Sequence, residues 1–168
     1  MAKRIAFTPT TSGIAATADT TNLVDSTYLA LLRGASTTQV TRVWEVVVSG
    51  QVSAASSPME LPLSYDSTVS SGTAGGVTDN AVDPATAALG APVVTGNTFA
   101  TTKPQRSATG KLLDCSINGY GGKFKWTAYD MSFCPTMLGN AASTGELSLS
   151  CRAGTVGALS SHIIYETQ

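Results

Sequence analysis

The chain has 168 residues, of which 12% are charged and 42% hydrophobic, with a single histidine, His162; an ordinary soluble domain carries about 25% charge. That length suffices for one domain with a real core. The apolar fraction excludes wholesale disorder, and a net charge of −1 excludes long-range steering of a polyanion. Ser and Thr together make up 43 residues, and a hydroxyl costs far less to bury than an ammonium or carboxylate, so the surface suits a chain that neighbouring subunits cover.

The N-terminal stretch from Thr8 to Asp25 is rich in Thr and Ala and is broken by Pro9 and Gly13. It predicts an extended arm over 1–25, followed by a single domain over 26–168. Met1-Ala2-Lys3-Arg4-Ile5 is basic, but Thr8 to Thr21 is too polar for a signal-peptide core, and no apolar run approaches a membrane span. Period-two alternation begins after the arm. Tyr28, Ala30 and Leu32 alternate with Leu29, Leu31 and Arg33. Val40, Trp44, Val46, Val48 and Val52 are expected on one face, opposite Thr41, Glu45 and Ser49. Met59, Leu61, Leu63 and Tyr65 alternate with Glu60, Pro62, Ser64 and Asp66; Pro62 lacks a ladder donor, so its strand is expected at an edge or with a bulge. Asp83 as N-cap, Pro84 at the first helical position and Gly90 as stop predict one short helix near 83–89.

The second half continues the alternation. Leu113, Cys115 and Ile117 oppose Leu112, Asp114 and Ser116, while Phe124, Trp126 and Ala128 oppose Lys123, Lys125, Thr127 and Tyr129. Leu147, Leu149 and Cys151 oppose Glu146, Ser148, Ser150 and Arg152, and Ile163 and Tyr165 oppose His162, Ile164 and Glu166. Turn-forming residues cluster at 70–76, 118–122, 139–145 and 154–157. Roughly seven or eight short strands with half-buried alternation predict an all-β antiparallel sandwich, with a jelly roll as the first choice among sandwiches.

No motif names a reaction. Cys115, Cys134 and Cys151 lack a C-x-x-C spacing and read as small buried thiols rather than metal or redox groups. A triad would have to use His162, whose parity with Glu166 puts it on the outward face of the last strand instead. Gly119-Tyr120-Gly121-Gly122 fails the dinucleotide fingerprint because Phe124 stands at the third glycine position, so a hairpin turn accounts for it. Across the Asn118–Gly122 turn, Asp114 and Asp130 are the nearest carboxylate pair to consider, and nothing sets the separation that glycosidase chemistry requires. Lys123 and Lys125 share one strand face while Phe124 and Trp126 share the other, unlike a nucleic-acid platform, which wants both on one exposed surface. No catalytic residue, metal ligand or cofactor site is expected.

Several segments carry a resemblance. They are Asp19-Thr20-Thr21-Asn22-Leu23, Asp83-Pro84-Ala85-Thr86-Ala87-Ala88-Leu89 and Thr102-Lys103-Pro104-Gln105-Arg106-Ser107, then Gly121-Gly122 before Trp126, and Gly145-Glu146-Leu147-Ser148-Leu149-Ser150. Together they resemble small structural proteins of tailed bacteriophages, in particular head decoration (cement) proteins, over most of the chain. The resemblance implies a β-sandwich on the capsid exterior that bridges major capsid subunits, acts as a dimer or trimer, and uses no cofactor. The expected partners are the major capsid protein and further copies of the chain, with no nucleic acid or membrane; the expected location is the virion surface, after assembly in the host cytoplasm. Candidate partner contacts are Lys3, Arg4, Phe7 and Asn22 of the arm, which is expected to order only along a neighbour, together with Lys123 and Lys125. The alternatives are a carbohydrate- or receptor-binding module using Tyr120 and Tyr129, or a tail or neck subunit.

Overall fold

The computed structural model describes residues 4–7, 14–16, 28–51, 58–69, 74–75, 80–86, 93–95, 98–99, 105–141, 143–150 and 157–168. Its strands are β1 (Arg4–Phe7), β2 (Ile14–Ala16), β3 (Tyr28–Arg33), β4 (Val40–Gly50), β5 (Pro58–Thr68), β6 (Ala74–Gly75) and β7 (Asn80–Ala81). They continue with β8 (Val93–Thr95), β9 (Thr98–Phe99), β10 (Gln105–Asn118), β11 (Lys123–Thr127), β12 (Thr136–Leu138), β13 (Glu146–Ser150) and β14 (Gly157–Thr167). One sheet has the order β11-β4-β14-β1-β7, with β12 also on β4 and β2 also on β14. The other has the order β10-β5-β13-β3-β8, and β6 pairs with β9 separately. All described pairings are antiparallel.

The two sheets bury one core between them. Val43, Val46 and Val48 of β4, Met137 of β12, and Leu159, Ile163 and Tyr165 of β14 come from the first sheet. Leu32, Met59, Leu61, Leu63, Ile117, Leu147 and Leu149 come from the second. Each such aliphatic side chain contributes about 1.5–3 kcal/mol by leaving water. The Tyr65 hydroxyl of β5 donates to the Thr136 carbonyl of β12 at 2.5 Å, a polar tie from one sheet to the other. The all-β sandwich is therefore as the alternation predicts, and Met59, Leu61, Leu63, Leu147, Leu149, Ile163 and Tyr165 face inward as expected.

The expectations fail in four places, each for a non-local reason. Trp44 does not share the core face with Val46 and Val48: Glu45 pairs with Ile164 and Val43 with Tyr165, leaving Trp44 as an extra residue in β4. That bulge flips the parity below it, so Val43 takes the core position. Pro62 lies in an interior strand rather than at an edge. It is tolerated because the β13 ladder on β5 covers only Leu63 to Tyr65, while the nearby bulge, at Leu112, is in the neighbouring β10. Glu166 keeps its outward parity beside core Tyr165 but is buried; it faces Arg42 across the strand pair, with an ion pair at 3.5 Å. Finally, Glu146, Ser148 and Ser150 alternate with the core leucines yet are buried too.

Of 83–89 the described residues hold a three-residue 3₁₀ turn, Pro84–Thr86, with Asp83 Oδ1 accepting from the Ala85 N–H at 2.9 Å. Residues 87–89, like Val52, Cys151 and Arg152, lie outside the described residues. Within 1–25, Arg4 to Phe7 pair with Thr167 to Ile164 and Ile14 to Ala16 with Leu159 to Gly157, so both stretches belong to the first sheet.

Candidate functional site

Strand β11 forms one edge of the first sheet and is held from both ends. At its start, the Asn118 carbonyl accepts from the Gly122 N–H at 2.9 Å and the Asn118 side chain accepts from the Tyr120 N–H at 2.9 Å. Gly121 takes φ +70°, a left-handed conformation that glycine adopts without a Cβ penalty. Gly50 packs against this turn so closely that a Cβ there would sit 2.1 Å from the Gly119 carbonyl oxygen. At its end, the Ala128 N–H donates to the Trp44 carbonyl at 2.8 Å. Phe124 and Trp126 pack against the core, while Lys123, Lys125 and Thr127 are exposed on the outer face.

The outer face next to β11 is a small charged grid. Lys125, Val47 and His162 stand side by side across β11, β4 and β14. Lys125 Nζ lies 2.6 Å from Glu45 Oε2, Thr127 Oγ1 donates to the same oxygen at 3.2 Å, and His162 Nε2 is 3.3 Å from Glu45 Oε1. Val47 is buried between Lys125 and His162. The Lys125 ammonium holds the Glu45 carboxyl below the usual carboxylate range; partial burial opposes this, and His162 and Thr127 reinforce it. Lys123 has no ion pair with any described residue.

Beyond β11 the chain leaves the sheet, forms a short projection over 128–135, and returns as β12 on the same edge of β4. The excursion spans the Trp44 bulge: Ala128 bonds on one side of it, and the Val43 N–H donates to the Pro135 carbonyl at 2.9 Å on the other. Asp130 caps a 3₁₀ turn, Met131–Phe133, accepting from the Ser132 N–H at 2.7 Å and the Ser132 hydroxyl at 2.6 Å. Those bonds hold the Asp130 carboxyl below its ordinary range. The Phe133 N–H donates to the Asp130 carbonyl at 3.1 Å, and the Cys134 N–H to the Met131 carbonyl at 3.3 Å. Pinned by these bonds, the turn presents three apolar side chains: Tyr129 is 91%, Phe133 63% and Met131 48% exposed. Tyr129 and Phe133 meet edge to face, with centroids 6.5 Å apart.

Exposed apolar side chains concentrate here. Leu138 of β12, on the same edge of β4, is exposed as well, whereas the other exposed large hydrophobics of the described residues, Val82, Leu112 and Tyr120, lie elsewhere. Isolated exposed apolar residues need no explanation, whereas a cluster marks an interaction site.

The expected contact residues separate in space. Lys123 and Lys125 lie together on the outer face of β11. Arg4 and Phe7 lie in β1, which is three strands away from β11 in the same sheet. Lys3 and Asn22 lie outside the described residues. Tyr120 and Tyr129 are both exposed, but all of β11 stands between them, about 17 Å of extended chain. Met131 and Phe133 are not singled out by the strand alternation. The signal was there: apolar residues at 129, 131 and 133 alternate around Asp130 and Ser132, a capping pair that has no core alternation to join.

Among the described residues no group of three His, Cys, Asp or Glu could hold a metal ion. Burial pushes the Cys115 thiol up to about 11, with help from the Asp114 carboxylate, and burial raises Cys134 as well. Both are free thiols and remain protonated at neutral pH, when they are poor nucleophiles. The chain matches no protein-family model, no curated protein and no solved structure.

Proposed function

We propose that this chain is a non-enzymatic structural subunit of a virus particle, binding the exterior of a phage capsid and stabilising contacts between its major subunits. The observation that carries the reading is the projection over 128–135, which is pinned by the hydrogen bonds of its own turn and offers Tyr129, Met131 and Phe133 outward. A preorganised apolar tip loses little conformational entropy on docking, and buried aromatic anchors of this kind dominate interface energetics.

Two further features support the reading. The eight principal strands, β1, β3, β4, β5, β10, β11, β13 and β14, distribute as β11-β4-β14-β1 facing β10-β5-β13-β3. We read this wind as a jelly roll, an architecture common among capsid and lectin domains. The scarcity of charge, 12% of residues, also suits a surface that is extensively covered. A subunit that binds only the assembled shell stabilises it by mass action.

The test is co-sedimentation of the purified chain with capsids stripped of accessory proteins, alongside light scattering of the chain alone. Parent protein is expected to pellet with the shells. Replacing Tyr129 and Phe133 together by Ser is expected to weaken attachment by about 30-fold, or ~2 kcal/mol, without lowering the melting temperature. A parent chain that stays in the supernatant overturns the reading.

A further inference from the structure

The outer edge of β11 carries backbone groups that no described strand pairs. Gly122 and Ala128 bond to Gly50 and Trp44 of β4, and the register between them is continuous. Antiparallel residues alternate in direction, so Phe124 and Trp126 also turn their N–H and C=O groups toward β4. Lys123, Lys125 and Thr127 therefore turn theirs outward, away from the sheet. Their side chains are exposed on the outer face, and the projection with Tyr129 and Phe133 stands at the strand's C-terminal end.

We infer that this edge accepts an extended segment of a partner protein as an added strand, with acidic side chains at alternate positions facing Lys123 and Lys125. The main-chain bonds would supply affinity, and the cross-strand charge pairs would set register and choice of partner. Charge complementarity selects the occupant. Lys123 meets no acidic group among the described residues, and Lys125 has three N–H donors with which to meet an incoming carboxylate while keeping Glu45.

A second copy of this chain fits poorly. Antiparallel self-pairing centred on Lys125 sets two lysines side by side, and centred on Phe124 it sets Lys123 against Lys125. Lysines on an edge strand commonly act to block such self-association. Here they block a like copy while leaving the edge open to an acidic strand. The inference rests on the assembly reading only for where the segment comes from, namely a capsid subunit.

The test uses the full chain, labelled with ¹⁵N, and a blocked synthetic peptide of about eight residues alternating Glu and Val, long enough to span β11. Amide shifts centred on 123–127 are expected at low salt and should fade at high salt. Lys123→Glu is expected to weaken binding about five- to ten-fold. Lys125→Pro should abolish it, because proline removes an outward N–H while sparing the β4 ladder. Absence of shifts at β11 in the parent protein overturns the inference whether or not either variant folds. So does equal binding of a Lys/Val peptide, while a stronger response to oligothymidylate assigns the edge to nucleic acid instead. Peptide binding at β11 without capsid co-sedimentation would leave the edge assignment standing and sink the capsid reading.

Discussion

The two sheets of this sandwich carry the same alternating pattern on strands of similar make-up, yet their outward faces meet different surroundings. On the second sheet, Ser64, Asp66, Glu146, Ser148 and Ser150 point away from the core and are nevertheless buried, Asp66 at 0% exposure. Some of them are tied by hydrogen bonds: the Ser148 hydroxyl donates to Asp66 Oδ1 at 2.6 Å, Arg106 Nη1 donates to Ser150 Oγ at 3.0 Å, and Arg106 stands opposite Asp66 in register. On the first sheet, Lys123, Lys125, Thr127 and His162 project into solvent around Glu45. Alternation thus tells which residues leave the core, and says nothing about whether water awaits them. One outward face is a buried polar layer, and the other, along β11, is open for contact.

Substitutions on the two faces should therefore differ in cost by severalfold. The largest effect is expected from Asp66→Ala, which removes the charged acceptor of the buried Ser148 hydroxyl; a loss of about 2–3 kcal/mol should appear in urea denaturation. Ser148→Ala, which removes one buried donor from the same layer, should cost about 1–2 kcal/mol by the same measurement. On the open face, Glu45→Gln should cost no more than about 1 kcal/mol at neutral pH, since its partners are partly solvated. Lys123→Glu should leave stability within about 0.5 kcal/mol while altering only binding. If Lys123→Glu proved as costly as Asp66→Ala, the distinction between the faces would collapse.

The pH dependence sharpens the same contrast. Glu45 titrates below its ordinary value of 4.5 in the folded chain, so its contribution is complete above that pH. It is lost as the pH falls through the folded value, when protonation releases Lys125. The parent protein should therefore lose stability more steeply than Glu45→Gln below about pH 4.5, which paired melts in acid would reveal.

Much of the candidate site was legible before the fold was known. Lys123 and Lys125 alternating with Phe124 and Trp126 already separated a charged face from a core face, and the glycine-rich run at 119–122 already marked the turn that delivers the strand. The projection was less visible, because Tyr129, Met131 and Phe133 gain meaning only when β11 and β12 are seen to share one edge of β4 with a gap between them. That gap exists because Trp44 bulges out of β4, and a bulge is a property of a strand pair rather than of a strand.

The sequence by itself determined the period-two runs, the turn positions and the inward faces of β5, β13 and β14, since each follows from neighbours two residues apart on a pleated chain. Tertiary structure alone decided the rest. It set the register slip at Trp44, the interior place of Pro62, the burial of Glu166 against Arg42, and the covering of Asp66 and Ser148. Each of these depends on which strand lies alongside and what lies above, and such contacts join residues far apart in the chain, beyond the reach of any local pattern.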